Sequence, residues 1–336
     1  MSTPPDRISP APIIQMASAY WSSCVLLTAN RIGLFTIVGS GALTIEELAQ
    51  RLGLSAYPLE NFLDALVSLG YLEKRGATYA NSPLSRTFLV EGEPAYLGNT
   101  IKYSDDLYPI WGQLEQTLRS GKPALPPHTI LGDDAAKTRH FVLGMHNRAL
   151  GIGQSLASAI DLGGRKRLLD VGGGPGTYSC LLARRNPGLT SRSMDLPAVV
   201  AIARTIIAEM GMSDRVEAIV GDYNEPSYPD GNDAVLCSGM FHREPPASCR
   251  AILQKAFRAL EPGGIVVVHD VLCSDDKSGP PFAMLFGINM ALTSAFGTVY
   301  SSREIATWMA EAGFVNSSGK SLPPPWPEAI VVGYKP

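Results

Sequence analysis

Asp170 ends the apolar run Leu168-Leu169 and is followed by Val171-Gly172-Gly173-Gly174-Pro175-Gly176-Thr177, a strand feeding a glycine turn. Gly172, Gly174 and Gly176 stand two residues apart, so the backbone can pass close to a ligand, and the helical stretch opening at Thr177 offers N–H groups to a carboxylate or phosphate. The acid in front decides between ligands. A dinucleotide site puts a pyrophosphate at this turn and reads G-x-G-x-x-G. A carboxylate at the strand tip repels that group and favours the ammonium of an amino-acid-bearing ligand. A tight strand-to-helix connection with no ligand is the bland alternative.

Further acids and one histidine stand where the later strands end. Asp195 lies 25 residues after Asp170, at the end of the stretch Leu189 to Leu196, where a carboxylate can accept from both hydroxyls of a ribose or cap the helix begun by Pro197. The amino-acid-bearing ligand favoured by Asp170 is taken as S-adenosylmethionine, whose ribose Asp195 would hold. Leu196 then flanks the adenine, Asp222 accepts from its amino group, Tyr223 stacks on its ring, and Ser238 with Gly239 lines the methionine. His242 is the reactive candidate. An imidazole, with an ordinary pKa near 6.5, can take the proton of a phenol-like hydroxyl as its oxygen attacks the methyl on sulfur. That is direct in-line transfer and needs no metal. The alternative is a loop histidine bonded to backbone. Asp270, at the end of the next strand, can orient the ring. His128, His140, His146 and His269 show no metal-ligand spacing, and His269 reads as a strand residue. His146 and Met145, with Met284, Phe286 and Met290, are candidates to line an acceptor pocket, although core packing explains the methionines equally well.

The elements that must position these residues fill the second half of the chain. Strand-like runs at Val216 to Asp222, Asp233 to Met240, Gly264 to Leu272 and Ala329 to Tyr334 alternate with helical runs at Pro197 to Met210, Pro246 to Leu260 and Ser302 to Ala312. Ile265-Val266-Val267-Val268 is too apolar to be half exposed. This alternation implies an open, mostly parallel, doubly wound α/β sheet with ligands at the carboxyl ends of its strands.

The first hundred residues follow another pattern. Apolar positions from Ile13 to Phe35 favour one or two helices, Thr44-Ile45-Glu46-Glu47 is a capping box opening a helix that stops at Gly53, and a second helix runs from about Tyr57 to Leu69. A hairpin turning near Gly76 follows, so the order is that of a winged helix. DNA binding demands positive charge on the second helix, and its charges are Glu60 and Asp64. Residues 1–100 hold six Lys/Arg against eight Asp/Glu, so a contact between subunits suits this domain better than a phosphate backbone. Residues 101–160 read as helical, broken by a loop from Ser120 to Asp134.

Composition bounds the rest. A chain of 336 residues with 45% apolar content holds two cores, and a net charge of -3 points neither to nucleic acid nor to an anionic membrane. Five cysteines without a C-x-x-C pair read as buried free thiols of a reducing cytoplasm. Met1 to Pro12, with four prolines, reads as a loose arm. The longest apolar run, Phe282 to Leu292, is far short of the roughly 20 residues that span a bilayer.

From about Tyr20 onward the chain resembles the class I S-adenosylmethionine-dependent small-molecule O-methyltransferases that include caffeic-acid-type enzymes and bacterial polyketide and carotenoid tailoring enzymes. The resemblance rests on the winged-helix half, Phe141-x-x-x-Met145, Asp170-Val171-Gly172-Gly173-Gly174-x-Gly176, Met194-Asp195-Leu196-Pro197, Gly221-Asp222-Tyr223 and Glu261-Pro262-Gly263-Gly264. It implies a Rossmann-like seven-stranded sheet, a homodimer closed by its N-terminal domains, His242 as the catalytic base and Asp270 as the acid that orients it. Two departures fall at the chemistry. Arg243-Glu244 stands where many members carry Asp-Trp, and Val299-Tyr300 stands where a second acid is expected. The reading is therefore a dimerisation domain over 1–100, a helical linker over 101–155 that contributes to the acceptor pocket, and a cofactor domain over 156–336. The function expected is methyl transfer to a hydroxyl of an apolar, aromatic small molecule. C-methylation, a cofactor-assisted reaction without methyl transfer and a ligand-responsive regulator are the alternatives.

Overall fold

The computed structural model describes residues 8–125 and 134–336. His128 and most of the loop expected between Ser120 and Asp134 lie outside the described residues, as does the start of the N-terminal arm. The described chain divides into two compact units, one up to Asp106 and one from Leu107.

The first unit opens with α1 (Ala11–Ser18), α2 (Tyr20–Arg31) and α3 (Leu34–Val38), so the expected arm ends at Pro10, which caps α1. The break between α2 and α3 falls at Gly33, whose φ of 70° is the left-handed region that glycine adopts freely. A short strand, β1 (Ala42–Thr44), leads into α4 (Ile45–Leu52), and α5 (Ala56–Ser68) follows. The capping box is formed: Thr44 Oγ1 accepts from Glu47 N and Glu47 Oε2 accepts from Thr44 N at 2.8 Å. Leu59, Leu63 and Leu66 of α5 meet Phe35, Leu48 and Tyr79 in one core. The hairpin is β2 (Leu72–Arg75) and β3 (Thr78–Asn81), and β1 adds to it in the order β1-β3-β2. Three residues with one buried side chain gave β1 no legible period. Next come α6 (Pro83–Phe88) and α7 (Gly98–Trp111), the latter carrying the chain into the second unit.

The second unit continues with α8 (Leu114–Ser120) and the long α9 (Ala135–Ala159), which is N-capped by Asp134. The alternation then runs β4 (Arg167–Val171), α10 (Thr177–Arg185), β5 (Thr190–Asp195), α11 (Pro197–Glu209), β6 (Val216–Val220), β7 (Asn232–Ser238), α12 (Pro246–Ala259) and β8 (Leu260–Cys273). After these come α13 (Pro281–Thr293), β9 (Tyr300–Ser301), α14 (Ser302–Glu311), β10 (Val315–Ser321) and β11 (Glu328–Tyr334). Seven strands lie in the order β10-β11-β8-β7-β4-β5-β6, and the two-residue β9 pairs the end of β8. Strands β6, β5, β4, β7 and β8 are parallel, while β11 runs antiparallel to β8 and β10 antiparallel to β11. The edge strand β10 went unforeseen because Val315 is its one apolar residue.

Both faces of this sheet are covered, and the two-residue period of a strand sorts side chains between them. Leu169, Val171, Val235, Cys237, Val266 and Val268 pack under α12 and α14. Their neighbours Leu168, Leu236, Val267 and Ile330 pack instead with Ile152 and Leu156 of α9 and Leu182 of α10. Carried to the strand ends, the same alternation sends Asp170, Ser238 and His269 toward the α9 side and Asp270 toward the α12 side.

Candidate active site

The glycine turn is held by the next strand. Gly172 N and Gly173 N both donate to Met194 O, at 2.9 and 3.1 Å, and Gly174 N donates to Asp195 Oδ2 at 2.8 Å. The N–H groups of Gly172, Gly173, Gly174 and Gly176 are thus spent within the protein, the last on Gly173 O at 3.0 Å. Gly172, Gly174 and Gly176 all have positive φ. The glycine that sterics single out is Gly173, where a Cβ would stand 2.2 Å from Ser193 Oγ. Around Gly174 a Cβ would meet nothing within 4 Å.

Asp170 is fully buried, and one of its oxygens is unfinished. Oδ2 accepts from Ser179 Oγ at 2.7 Å, and Ser179 Oγ also meets Ser191 Oγ at 2.8 Å. Oδ1 has no partner among the described residues. Burial pushes this carboxyl up to about 7, against the hydrogen bond from Ser179. A buried lone oxygen of this kind calls for a cationic or N–H donor.

Asp195 sits across the turn, accepting from Leu196 N at 2.7 Å through Oδ1 and from Gly174 N through Oδ2. Burial raises its pKa and Asp222 adds to the rise, while these two N–H donors oppose it. It does not cap α11, whose N-cap position is Leu196 without a side-chain bond. Leu196 is half-buried beside Val142 and Val199. Asp222 accepts from Asn224 N at 2.8 Å, and the Tyr223 ring lies next to Gly172 with its hydroxyl donating to Glu244 Oε1 at 2.7 Å. A residue that the sequence reading passed over holds this segment: Lys255 of α12, 8% exposed, donates to Tyr223 O and to Glu225 O at 2.9 Å. Its one legible signal was a lysine set between Ile252, Leu253 and Ala256 on an apolar face.

His242 occupies a helical turn, Phe241–Arg243, between the end of β7 and α12. Its Nδ1 lies 2.6 Å from Asp270 Oδ1, and its backbone N–H donates to Asp270 Oδ2 at 3.2 Å. Val271 N also donates to Asp270 Oδ1 at 2.8 Å. Burial would push the Asp270 carboxyl up, but the His242 ring and these N–H donors outweigh it and hold the group below the usual range. A carboxylate only accepts, so the shared proton belongs on Nδ1, and in the neutral form of the ring Nε2 presents a lone pair. Phe286 packs edge-on against the ring, with centroids 4.9 Å apart. The two departures are filled by structure rather than chemistry. Glu244 ties Tyr223 to the His242 turn and its carbonyl accepts from Tyr300 Oη at 2.7 Å, while Thr298 N donates to His242 O at 3.0 Å. No second carboxylate hydrogen-bonds the ring among the described residues.

The acceptor candidates divide. Met145 is half-buried on α9, and Met284 and Phe286 pack against Val271 and Cys273. Met290 is buried. His146 turns its Nδ1 onto Thr177 Oγ1 at 2.7 Å, at the head of α10, and burial lowers its pKa. Ser238 Oγ pairs with His269 Nδ1 at 2.8 Å, and burial pushes His269 down to about 4. Sequence reasoning missed the Arg148–Glu328 ion pair, 2.6 Å long, because its partners are 180 residues apart. No cluster of three metal-ligating side chains occurs among the described residues, and no helix there is long and apolar enough to cross a membrane.

Residues 111–315 match the O-methyltransferase domain family and residues 14–91 match the O-methyltransferase dimerisation domain. The chain belongs to the O-methyltransferases. This methyltransferase is 32% identical to the 3-hydroxy-5-methyl-1-naphthoate 3-O-methyltransferase of Streptomyces sahachiroi, over 99% of its own length and 97% of that protein. It is 31% identical to the tetracenomycin polyketide synthesis 8-O-methyl transferase of Streptomyces glaucescens, over 97% of each chain. Its fold matches that of human N-acetylserotonin methyltransferase with a TM-score of 0.88 at 23% identity, covering 100% of this chain and 99% of that one. The methyltransferase uses S-adenosylmethionine. Its residues fit that group: Asp170 Oδ1 lacks a donor, and the space over Gly174 is open.

Proposed function

We propose that this O-methyltransferase methylates a hydroxyl on an apolar aromatic small molecule, with His242 as the general base. The observation that carries this reading is the His242–Asp270 pair at 2.6 Å, which leaves Nε2 free to take a proton. The two curated relatives named above act, by their names, on a naphthoate and in polyketide synthesis.

S-adenosylmethionine supplies a methyl group on a sulfonium, open to in-line attack. Asp170 would hold its ammonium through Oδ1, Asp195 its ribose hydroxyls, and Asp222, Tyr223 and Leu196 its adenine, with Ser238 toward the methionine. The glycines bring the backbone near enough for those contacts. Asp270 fixes the ring so that Nε2 removes the acceptor proton as its oxygen becomes nucleophilic, and Met145, Met284 and Phe286 exclude water around it. Met290 and His146 support the pocket from behind, through core packing and through Thr177.

The N-terminal domain, residues 1–100, is read as a winged helix that makes a homodimer, and 101–155 as a linker to the cofactor domain 156–336. Its exposed apolar side chains support the dimer, and its acidic balance argues against nucleic acid. Five unbridged cysteines favour the cytoplasm. Calorimetry with S-adenosylmethionine and its demethylated product, followed by mass detection of one added methyl on aromatic hydroxyl compounds, tests the reading. No binding at millimolar ligand would sink it.

A further inference from the structure

On the α9 side of the sheet, polar side chains stand on three neighbouring strands: Ser238 closes β7, His269 lies four residues before the end of β8, and Glu328 opens the antiparallel β11. Register sets Ile330 opposite His269 and Glu328 opposite Val271, so Glu328 and His269 are diagonal neighbours on one face. Each is 3% exposed, and each holds a buried atom without a partner among the described residues, Oε2 of Glu328 and Nε2 of His269. Unpartnered polar atoms are rare inside proteins, and two on adjacent strands mark a place where something else bonds.

Two more groups converge there. Arg148 of α9 binds Glu328 Oε1 at 2.6 Å with one N–H. Its surroundings are dense enough that desolvation is the largest influence on the guanidinium, yet 33% of its side chain is solvent-accessible. Tyr178, in the first turn of α10, sets its ring edge-on to His269 at 5.5 Å and feels the charges of Arg148 and Glu328. Its hydroxyl makes no hydrogen bond among the described residues. Met145 lies three residues before Arg148, within one helical turn. His269 faces away from Asp270, but Ser238, bonded to His269, is followed by Gly239, whose N–H donates to His269 O at 2.8 Å and where a Cβ would stand 3.9 Å from His242 Cε1, so the cluster reaches the His242 turn.

We propose that Arg148, Tyr178, His269 and Glu328 form a polar subsite for a second oxygen on the acceptor, an uncharged hydroxyl or enol set apart from the oxygen that is methylated. Charge decides the class. Arg148 is matched by Glu328 and His269 is held neutral, so a carboxylate would meet the free oxygen of Glu328 with no cation left to balance it. A hydroxyl can donate to Glu328 Oε2 while it accepts from Arg148 or Tyr178. The inference rests on the methyltransferase reading above, which places the acceptor next to His242.

The test is calorimetry on the full chain saturated with S-adenosylhomocysteine, using a naphthol, dihydroxynaphthalenes whose second hydroxyl lies on the far ring, and a hydroxynaphthoic acid. At least one diol should bind roughly tenfold or more tighter than the naphthol, and the acid should bind more weakly than the diol. Tyr178→Phe, which removes only a hydroxyl, and Glu328→Gln should each bring the diol-to-naphthol ratio below about threefold. Equal binding of diol and naphthol, preference for the acid, a ratio that survives both substitutions, or no binding of any probe would overturn the subsite. So would a loss confined to S-adenosylhomocysteine, which would assign the cluster to the cofactor. A protein that binds no S-adenosylhomocysteine fails the earlier reading; one that binds it without discriminating diol from naphthol fails this inference alone.

Discussion

Asp270 grips His242 twice, through the ring at 2.6 Å and through the backbone N–H at 3.2 Å, so one buried carboxylate sets both the tautomer and the position of the imidazole. In this chain it does so without a second acid, because the neighbouring segment offers Thr298 N to the His242 carbonyl and packs Val299 in the core. The positioning of the His242 ring therefore rests on Asp270 and on the edge of Phe286.

His242→Ala should lower kcat by roughly 10²- to 10⁴-fold with little change in cofactor affinity, since proton removal is felt in the transition state. Asp270→Asn should lose less, and the double variant should be little worse than His242→Ala. Steady-state kinetics across pH checks this. An unchanged kcat and pH profile in His242→Ala would leave a methyltransferase that works by positioning.

Much of this candidate site could be proposed from the sequence because parallel strands place their carboxyl ends side by side, so each residue closing an apolar run became a candidate. Asp170, Asp195, Asp222, Ser238, His242 and Asp270 all came from that rule. What escaped was set by tertiary contact. Arg148 and Glu328 meet across 180 residues, and Lys255 is a cation on a buried helix face. The glycine turn was legible as a turn, but its spent N–H groups follow from the approach of Met194 and Asp195, which no local pattern records. The same holds for the fold: β1 and β10 are short or polar strands defined by their partners.

Cofactor affinity should depend on pH through Asp170. Its carboxyl is pushed up to about 7 in the folded protein from an unfolded value of 3.8. The folded state therefore keeps a proton that the unfolded chain releases, and stability of the ligand-free protein falls as pH rises between those values. A bound ammonium favours the ionised form, so binding should release a proton and tighten from about pH 5 toward pH 7, while the ligand's own amine stays protonated. Calorimetry in two buffers of different ionisation enthalpy measures the proton. Asp170→Asn should abolish the release, weaken binding at least about tenfold and steady the ligand-free protein at neutral pH.

Gly173→Ala and Gly174→Ala should fail in different ways. A Cβ at Gly173 meets Ser193 Oγ at 2.2 Å and Asp170 Oδ2 at 2.9 Å, so this variant should lose roughly 3 kcal/mol or more, or not fold. At Gly174 the space is open but φ is 55°, so the stability cost should be about 1–2 kcal/mol. The loss of cofactor affinity should be larger in proportion. Thermal melts with and without S-adenosylhomocysteine separate the two, and equal behaviour would mean that the space over Gly174 is not where the cofactor lies.

Removing residues 1–40 should break the dimer. Ile13, Ile14 and Met16 of α1 and Trp21 of α2 are 63% exposed or more, and α1 buries no residue at all. Exposed apolar side chains grouped on these two helices suit a subunit contact, in keeping with the dimerisation-domain match over residues 14–91. Sedimentation of the full chain should give a dimer, and the truncated chain should sediment as monomer or aggregate. A stable, active, monomeric truncation would refute the assignment.

Lys255→Met tests whether the Asp222–Tyr223 segment is positioned from behind for the cofactor contact proposed for it. The substitution keeps the aliphatic length and removes the donor to Tyr223 O and Glu225 O, while Tyr228 Oη still donates to Tyr223 O at 2.9 Å. Tyr223 should keep its place less well and Asp222 with it, since Glu225 O is left without this donor; the expected destabilisation is about 1–3 kcal/mol. Because no reacting atom is touched, KM for S-adenosylmethionine should rise roughly five- to twentyfold while kcat at saturating cofactor stays within about twofold. Lys255→Arg, which keeps a donor at that depth, should recover part of the affinity. A Met variant whose melting point falls but whose KM is unmoved would make Lys255 a support of the fold alone, with the Asp222–Tyr223 segment holding its shape through Glu244 and Tyr228.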